Sequence, residues 1–63
     1  MNIGDKVKVC WPSYKECDQI GILDRYIESY DEPGYWLINE DGEEFEVLFQ
    51  DLFRGDAELT VIE

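Results

Sequence analysis

Apolar and polar residues alternate with period two at several places along this chain. Nowhere does the i, i+3, i+4, i+7 spacing of a helix hold for three turns. Lys6-Val7-Lys8-Val9-Cys10-Trp11 puts Val7, Val9 and Trp11 on one face and the lysines and Cys10 on the other, a strand with one wet side. Pro12 removes a ladder donor and ends it. Residues 12–18 are polar and read as a loop. The segment 19–30 predicts a second strand. It switches its apolar face midway, from Ile20 and Ile22 to Leu23 and Ile27, as a strand does when it bends or carries a bulge. Gly21 near its start permits close backbone approach.

Asp31-Glu32-Pro33-Gly34 reads as a turn, with Pro33 presetting φ and Gly34 supplying the positive φ of a type II turn. Residues 35–39, Tyr-Trp-Leu-Ile-Asn, form a third strand, apolar on both sides. Asp41-Gly42 then marks a tight hairpin. In the fourth strand, 43–49, Phe45, Val47 and Phe49 oppose Glu44 and Glu46. Residues 50–54 fit a single 3₁₀ turn, and a last strand follows, with Ala57, Leu59 and Val61 alternating with Glu58, Thr60 and Ile62. The expected interior is Val7, Val9, Ile20, Ile22, Leu37, Phe45, Val47, Leu52 and Leu59. Trp11, Tyr26, Trp36, Phe49 and Phe53 are expected inside or at the rim.

Sixty-three residues allow one small domain, residues 1–63, and leave no room for a deep cleft. Five short strands without a long helix predict an all-β fold, most economically a five-stranded barrel with a 3₁₀ turn before the last strand, because closure removes sheet edges. Three segments carry a resemblance: IGDKVKV at 3–9, QIGILDRYI at 19–27 and YWLINEDGEEFEVLFQDL at 35–52. Together they resemble the SH3-like small barrels of the KOW and Tudor type. The resemblance implies the fold and says little about activity, since such barrels host many functions. The nucleic-acid binders of that family are basic on the loops that grip RNA or DNA. Here those regions are acidic, so that role is not carried over.

Charge narrows the function. The net charge is −11, from 16 Asp and Glu against 5 Lys and Arg, with no His. Residues 1–23 are balanced, so the whole excess lies in 24–63. A field of this sign repels nucleic acid and anionic membrane and speeds encounter with basic partners. Without His, a Ser or Cys nucleophile lacks its usual base, so the chain reads as a non-enzyme. No cofactor is expected. Two cysteines and no His cannot complete a structural zinc site, and NEDGEE lacks the ligand spacing of a calcium loop, so no metal site is expected. The apolar runs are too short for a membrane span or a secretion signal. A cytoplasmic protein with Cys10 and Cys17 as reduced thiols is therefore the expectation.

The candidate partner-binding residues are acidic and aromatic. Glu40, Asp41, Glu43, Glu44 and Glu46 form an acidic ribbon, with Asp24, Glu28, Asp31 and Glu32 adding charge. Glu44 and Glu46 share a strand face, about 6.6–6.8 Å apart, a spacing comparable to that of backbone phosphates. A face built from both sets would dock on a basic protein surface. In its sharper form it would mimic nucleic acid and block a DNA- or RNA-binding protein, as small phage-borne inhibitors of restriction, CRISPR or transcription machinery do. A second expectation is an accessory subunit packing through an apolar rim of Trp36, Leu48, Phe53 and Ile62. A third comes from the resemblance: aromatics beside the loops of SH3-like barrels line grooves for basic or methylated peptides, which singles out Tyr14, Tyr30 and Tyr35. The sequence does not give the oligomeric state.

Overall fold

A computed structural model describes residues 1–62. Five antiparallel strands form one sheet: β1 (Lys6–Trp11), β2 (Glu16–Ile27), β3 (Gly34–Asn39), β4 (Glu44–Leu48) and β5 (Glu58–Val61). The order across the sheet is β4-β3-β2-β1-β5. β4 and β5 are its edges, and no ladder joins them among the described residues. A six-residue α-helix, α1 (Phe49–Arg54), stands where the sequence predicts a single 3₁₀ turn before the last strand. The 3₁₀ turn of the structure is at Pro12–Tyr14.

β2 organises the sheet. Its 12 residues are shared between two neighbours. Residues 16–22 pair with β1, and residues 21–27 pair with β3. The register slips between Leu23 and Arg25, so Asp24 is the extra residue of a bulge. This is the bend that the mid-strand change of face predicts. A bulge bends the strand and increases its twist, which lets the two halves of the sheet enclose one core.

That core is Val7, Val9, Leu23, Leu37, Val47 and Ala57, each at most 2% exposed. Met1, Trp11, Tyr35, Phe45, Leu52 and Leu59 pack against it. The expected interior is corrected at two positions on β2. Ile22 is 48% exposed and Ile20 only half-buried, while Gly21 and Leu23 face inward. Phe53, expected inside or at the rim, is 95% exposed at the end of α1.

Two local expectations also change. Gly34 opens β3 and is not among the glycines with positive φ, so no type II turn requires it. Its role is close approach: a Cβ there would stand 2.5 Å from the Val47 carbonyl oxygen and 2.8 Å from the Leu48 Cα. The positive φ that the sequence predicts for a hairpin is found at Gly42, at +82°.

The second change concerns the cysteines. Residues 16–18, read as loop, belong to β2, and Cys17 is joined by a disulfide to Cys10 on β1. Reduced thiols are thus not what the structure holds. The polar stretch Glu16-Cys17-Asp18 carries no apolar alternation, so its pairing with β1 was invisible in the pattern. A cross-link spanning a sequence separation of 7 restricts the unfolded chain, in the loop-entropy model by about 2–3 kcal/mol. Reduction by dithiothreitol is expected to lower the unfolding free energy by about that amount, read from urea curves with and without reductant. The Cys10→Ser/Cys17→Ser double variant should match the reduced protein. Identical midpoints for oxidised and reduced protein would contradict a stabilising cross-link.

Candidate protein-docking surface

The hairpin between β3 and β4 is built by Asn39. Its side-chain oxygen accepts the N–H of Asp41 at 3.0 Å and of Glu43 at 2.8 Å. Its backbone N–H donates to the Glu43 carbonyl at 2.9 Å, and its carbonyl accepts the Gly42 N–H at 3.0 Å. The amide dipoles of the turn are thus consumed internally, and the side chains of Glu40, Asp41 and Glu43 are left at an exposed tip.

From this tip β4 carries Glu44 and Glu46 along its outward face, because Phe45 and Val47 alternate inward. In the ladder with β3, Glu44 lies opposite Ile38 and Glu46 opposite Trp36. The Trp36 indole N–H donates to a Glu44 carboxylate oxygen at 3.1 Å. On the other side of β3, Arg25 pairs with Trp36 and sets its guanidinium 4.9 Å from the centre of the indole ring. Trp36 therefore carries a cation over its ring while its edge orients a carboxylate. Arg25 was not singled out in the sequence. Its closeness to Trp36 depends on the bulge, and no pattern in one strand reports the register with the next.

The far end of β4 meets the 28–33 segment. Leu48 lies opposite Gly34, and the Phe49 N–H donates to the Pro33 carbonyl at 3.0 Å. Within that segment the Ser29 hydroxyl accepts the Glu32 N–H at 3.3 Å. Glu28, Asp31 and Glu32 are thus at the opposite end of β3 from the Glu40–Asp41–Glu43 tip, about 17 Å along a six-residue strand. Glu44 and Glu46 lie between the two groups. The acids follow the β4 side of the sheet as a strip, not a compact patch. Asp24 is outside it, in the β2 bulge, with its carboxylate 3.4 Å from the Arg25 guanidinium. Among the described residues this is the sole ion pair. Glu28, Asp31, Glu32, Glu40, Asp41, Glu43, Glu44 and Glu46 have no cationic partner there.

The three tyrosines are not assembled into one cage. Tyr35 is half-buried and stacks between Tyr26, at 5.8 Å between ring centres, and Phe49, at 4.8 Å edge to face. The Tyr26 hydroxyl donates to the Met1 carbonyl at 2.7 Å, which ties the chain start to this stack. Tyr30 is fully exposed in the 28–33 segment, and Tyr14 is 77% exposed on the 3₁₀ turn. Neither contacts another aromatic ring of the described residues.

No group of three or more His, Cys, Asp or Glu is placed to hold a metal ion among the described residues. No helix among them is long and apolar enough to cross a membrane. Compared with known proteins, the chain matches no family model, no curated protein and no solved structure.

Proposed function

We propose that this protein is a non-enzymatic binding module that docks on a basic protein surface through the acidic strip along β4. The observation that carries this is the unpaired state of eight carboxylates, two of them spaced by a strand repeat and one oriented by Trp36. A solvated face that served solubility alone would need no such fixed side chain, and −11 exceeds the charge of about 2–8 that suits a small domain. In the sharper form the strip imitates a phosphate backbone and occupies the groove of a DNA- or RNA-binding protein, as a phage-borne inhibitor would.

Such docking is steered by charge. The association rate with a partner captured from the source cell should fall by about tenfold or more when salt is raised from about 0.05 to about 0.5 M. Glu44→Gln/Glu46→Gln should slow association at low salt and flatten the salt dependence, as followed by stopped-flow fluorescence. A second reading, an accessory subunit packing through an apolar rim, is favoured by the exposure of Phe53 in the last turn of α1. For that mode Phe53→Ala would weaken the complex strongly, and the Glu-to-Gln pair would not.

A further inference from the structure

The connection between β1 and β2 faces the region of α1 across a groove of about 360 Å³ lined by Trp11, Ser13, Tyr14, Asp51 and Asp56. Each wall is fixed by local chemistry. On one side Pro12 begins the 3₁₀ turn, and Lys15 ends it in the left-handed region at φ 57°, its N–H donating to the Pro12 carbonyl at 3.1 Å. The Cys10–Cys17 disulfide ties the two feet of this turn together. Tyr14 stands out into solvent, and it and Trp11 both line the groove.

On the other side α1 stops at Gly55, with φ +84°. The Asp51 carbonyl then accepts the Asp56 N–H at 2.9 Å and the Ala57 N–H at 3.2 Å. The chain is folded back on the helix, Ala57 is buried as an anchor, and Asp56 comes beside Asp51. Lys15 and Arg54 are close in sequence to the two walls. Neither is within ion-pair distance of Asp51 or Asp56 among the described residues.

We infer that this groove receives one arginine side chain of a basic protein partner. Two carboxylates without a cation exclude an anion. An apolar occupant would strip them of water with nothing in return. A cation satisfies both, and the indole and phenol rings add faces to which a cation is drawn. Arginine fits better than lysine, since its planar guanidinium stacks on an aromatic ring while its fork of N–H groups reaches carboxylates. The groove meets the β4 strip at Trp11, which also lines a cleft with Glu43, Glu44 and Glu46, so one basic partner would reach both. This inference rests on the proposed reading that the partner is basic.

The test is an NMR titration of the ¹⁵N-labelled protein at low salt with the probe acetyl-Gly-Arg-Gly-amide. Its citrulline counterpart, of the same shape without the charge, is the control. With the arginine peptide the amides of Tyr14 and Asp56, which line the groove and not the strip, should shift saturably, and with citrulline they should not. Asp51→Asn/Asp56→Asn should weaken binding by about tenfold, and Glu44→Gln/Glu46→Gln by less than about twofold. Tyr14→Ala, an exposed position that leaves folding intact, should weaken it by about threefold. Equal shifts with citrulline, or unchanged affinity in the Asp51→Asn/Asp56→Asn and Tyr14→Ala variants, would overturn the groove assignment. Arginine-induced shifts confined to the Trp36 indole and residues 43–46 would also overturn it, while leaving docking through the β4 strip in place. A groove that binds arginine in a protein whose partner association ignores salt would support the groove and sink the strip.

Discussion

Replacing Gly34 by alanine should cost about 3–4 kcal/mol and leave much of the chain unfolded under native conditions. The new Cβ would sit 2.5 Å from the Val47 carbonyl oxygen, 2.8 Å from the Leu48 Cα and 3.1 Å from the Val47 carbonyl carbon. All three are backbone atoms of the neighbouring strand, so no side chain can swing away. Relief requires β4 to move off β3. That breaks the Gly34–Leu48 pairing and the bond from the Phe49 N–H to the Pro33 carbonyl. A domain of this size has about 3–9 kcal/mol of total stability, so the loss is a large part of it. Urea unfolding followed by circular dichroism gives the number. Gly34→Asn separates the two explanations for this glycine. In a turn that needs positive φ, asparagine would be nearly as good as glycine. Against the backbone of β4 it should be at least as damaging as alanine. A Gly34→Ala protein within about 0.5 kcal/mol of the parent would contradict the close approach of the two strands.

The second large effect is a contrast between neighbours. Leu23→Ala should cost about 3 kcal/mol, since Leu23 is 1% exposed in the core. Ile22→Ala should cost less than about 1 kcal/mol, since nearly half of that side chain is already in water. Thermal or urea unfolding of the two variants measures both. The reverse order would mean that β2 is turned over relative to its neighbours, because a shift by one residue exchanges its faces.

This contrast also marks where the sequence misleads. Parity on β2 favours Ile20 and Ile22 as the buried pair over Gly21 and Leu23, on apolar content alone. The structure fills the place at Gly21 from another strand: a Cβ there would meet the Phe45 ring at 3.1 Å. The ring occupies what would have been side-chain volume on β2, so the glycine faces inward and the isoleucines face out. One strand read alone cannot show that a distant aromatic will take its space. β1, by contrast, was legible to the residue, because alternation and a terminating proline are local signals. The Asp41-Gly42 hairpin was legible for the same reason, as turn chemistry is short-ranged.

The candidate surface divides in the same way. The acids of the β3–β4 tip and of β4 could be assigned to a common side from strand parity and a turn. That Asp24 is drawn off by Arg25, and that the 28–33 acids stand a strand length from the tip, follows from the bulge and from sheet order. The bulge is signalled within β2 by its change of apolar face, but the sheet order is not encoded within a single segment. The Asp51–Asp56 wall was missed for a further reason. It is made by a helix end folding back, and the carbonyl that organises it belongs to the backbone, which carries no sequence signal.

The strip along β4 is tested most directly by the footprint of a captured basic partner on the ¹⁵N-labelled protein, read as broadened or shifted amide and indole signals. Docking through the strip predicts changes at residues 40–46 and at the Trp36 indole N–H, weakening as salt is added. A footprint confined to Phe53, Val61 and Ile62, with residues 40–46 unmoved, would contradict it.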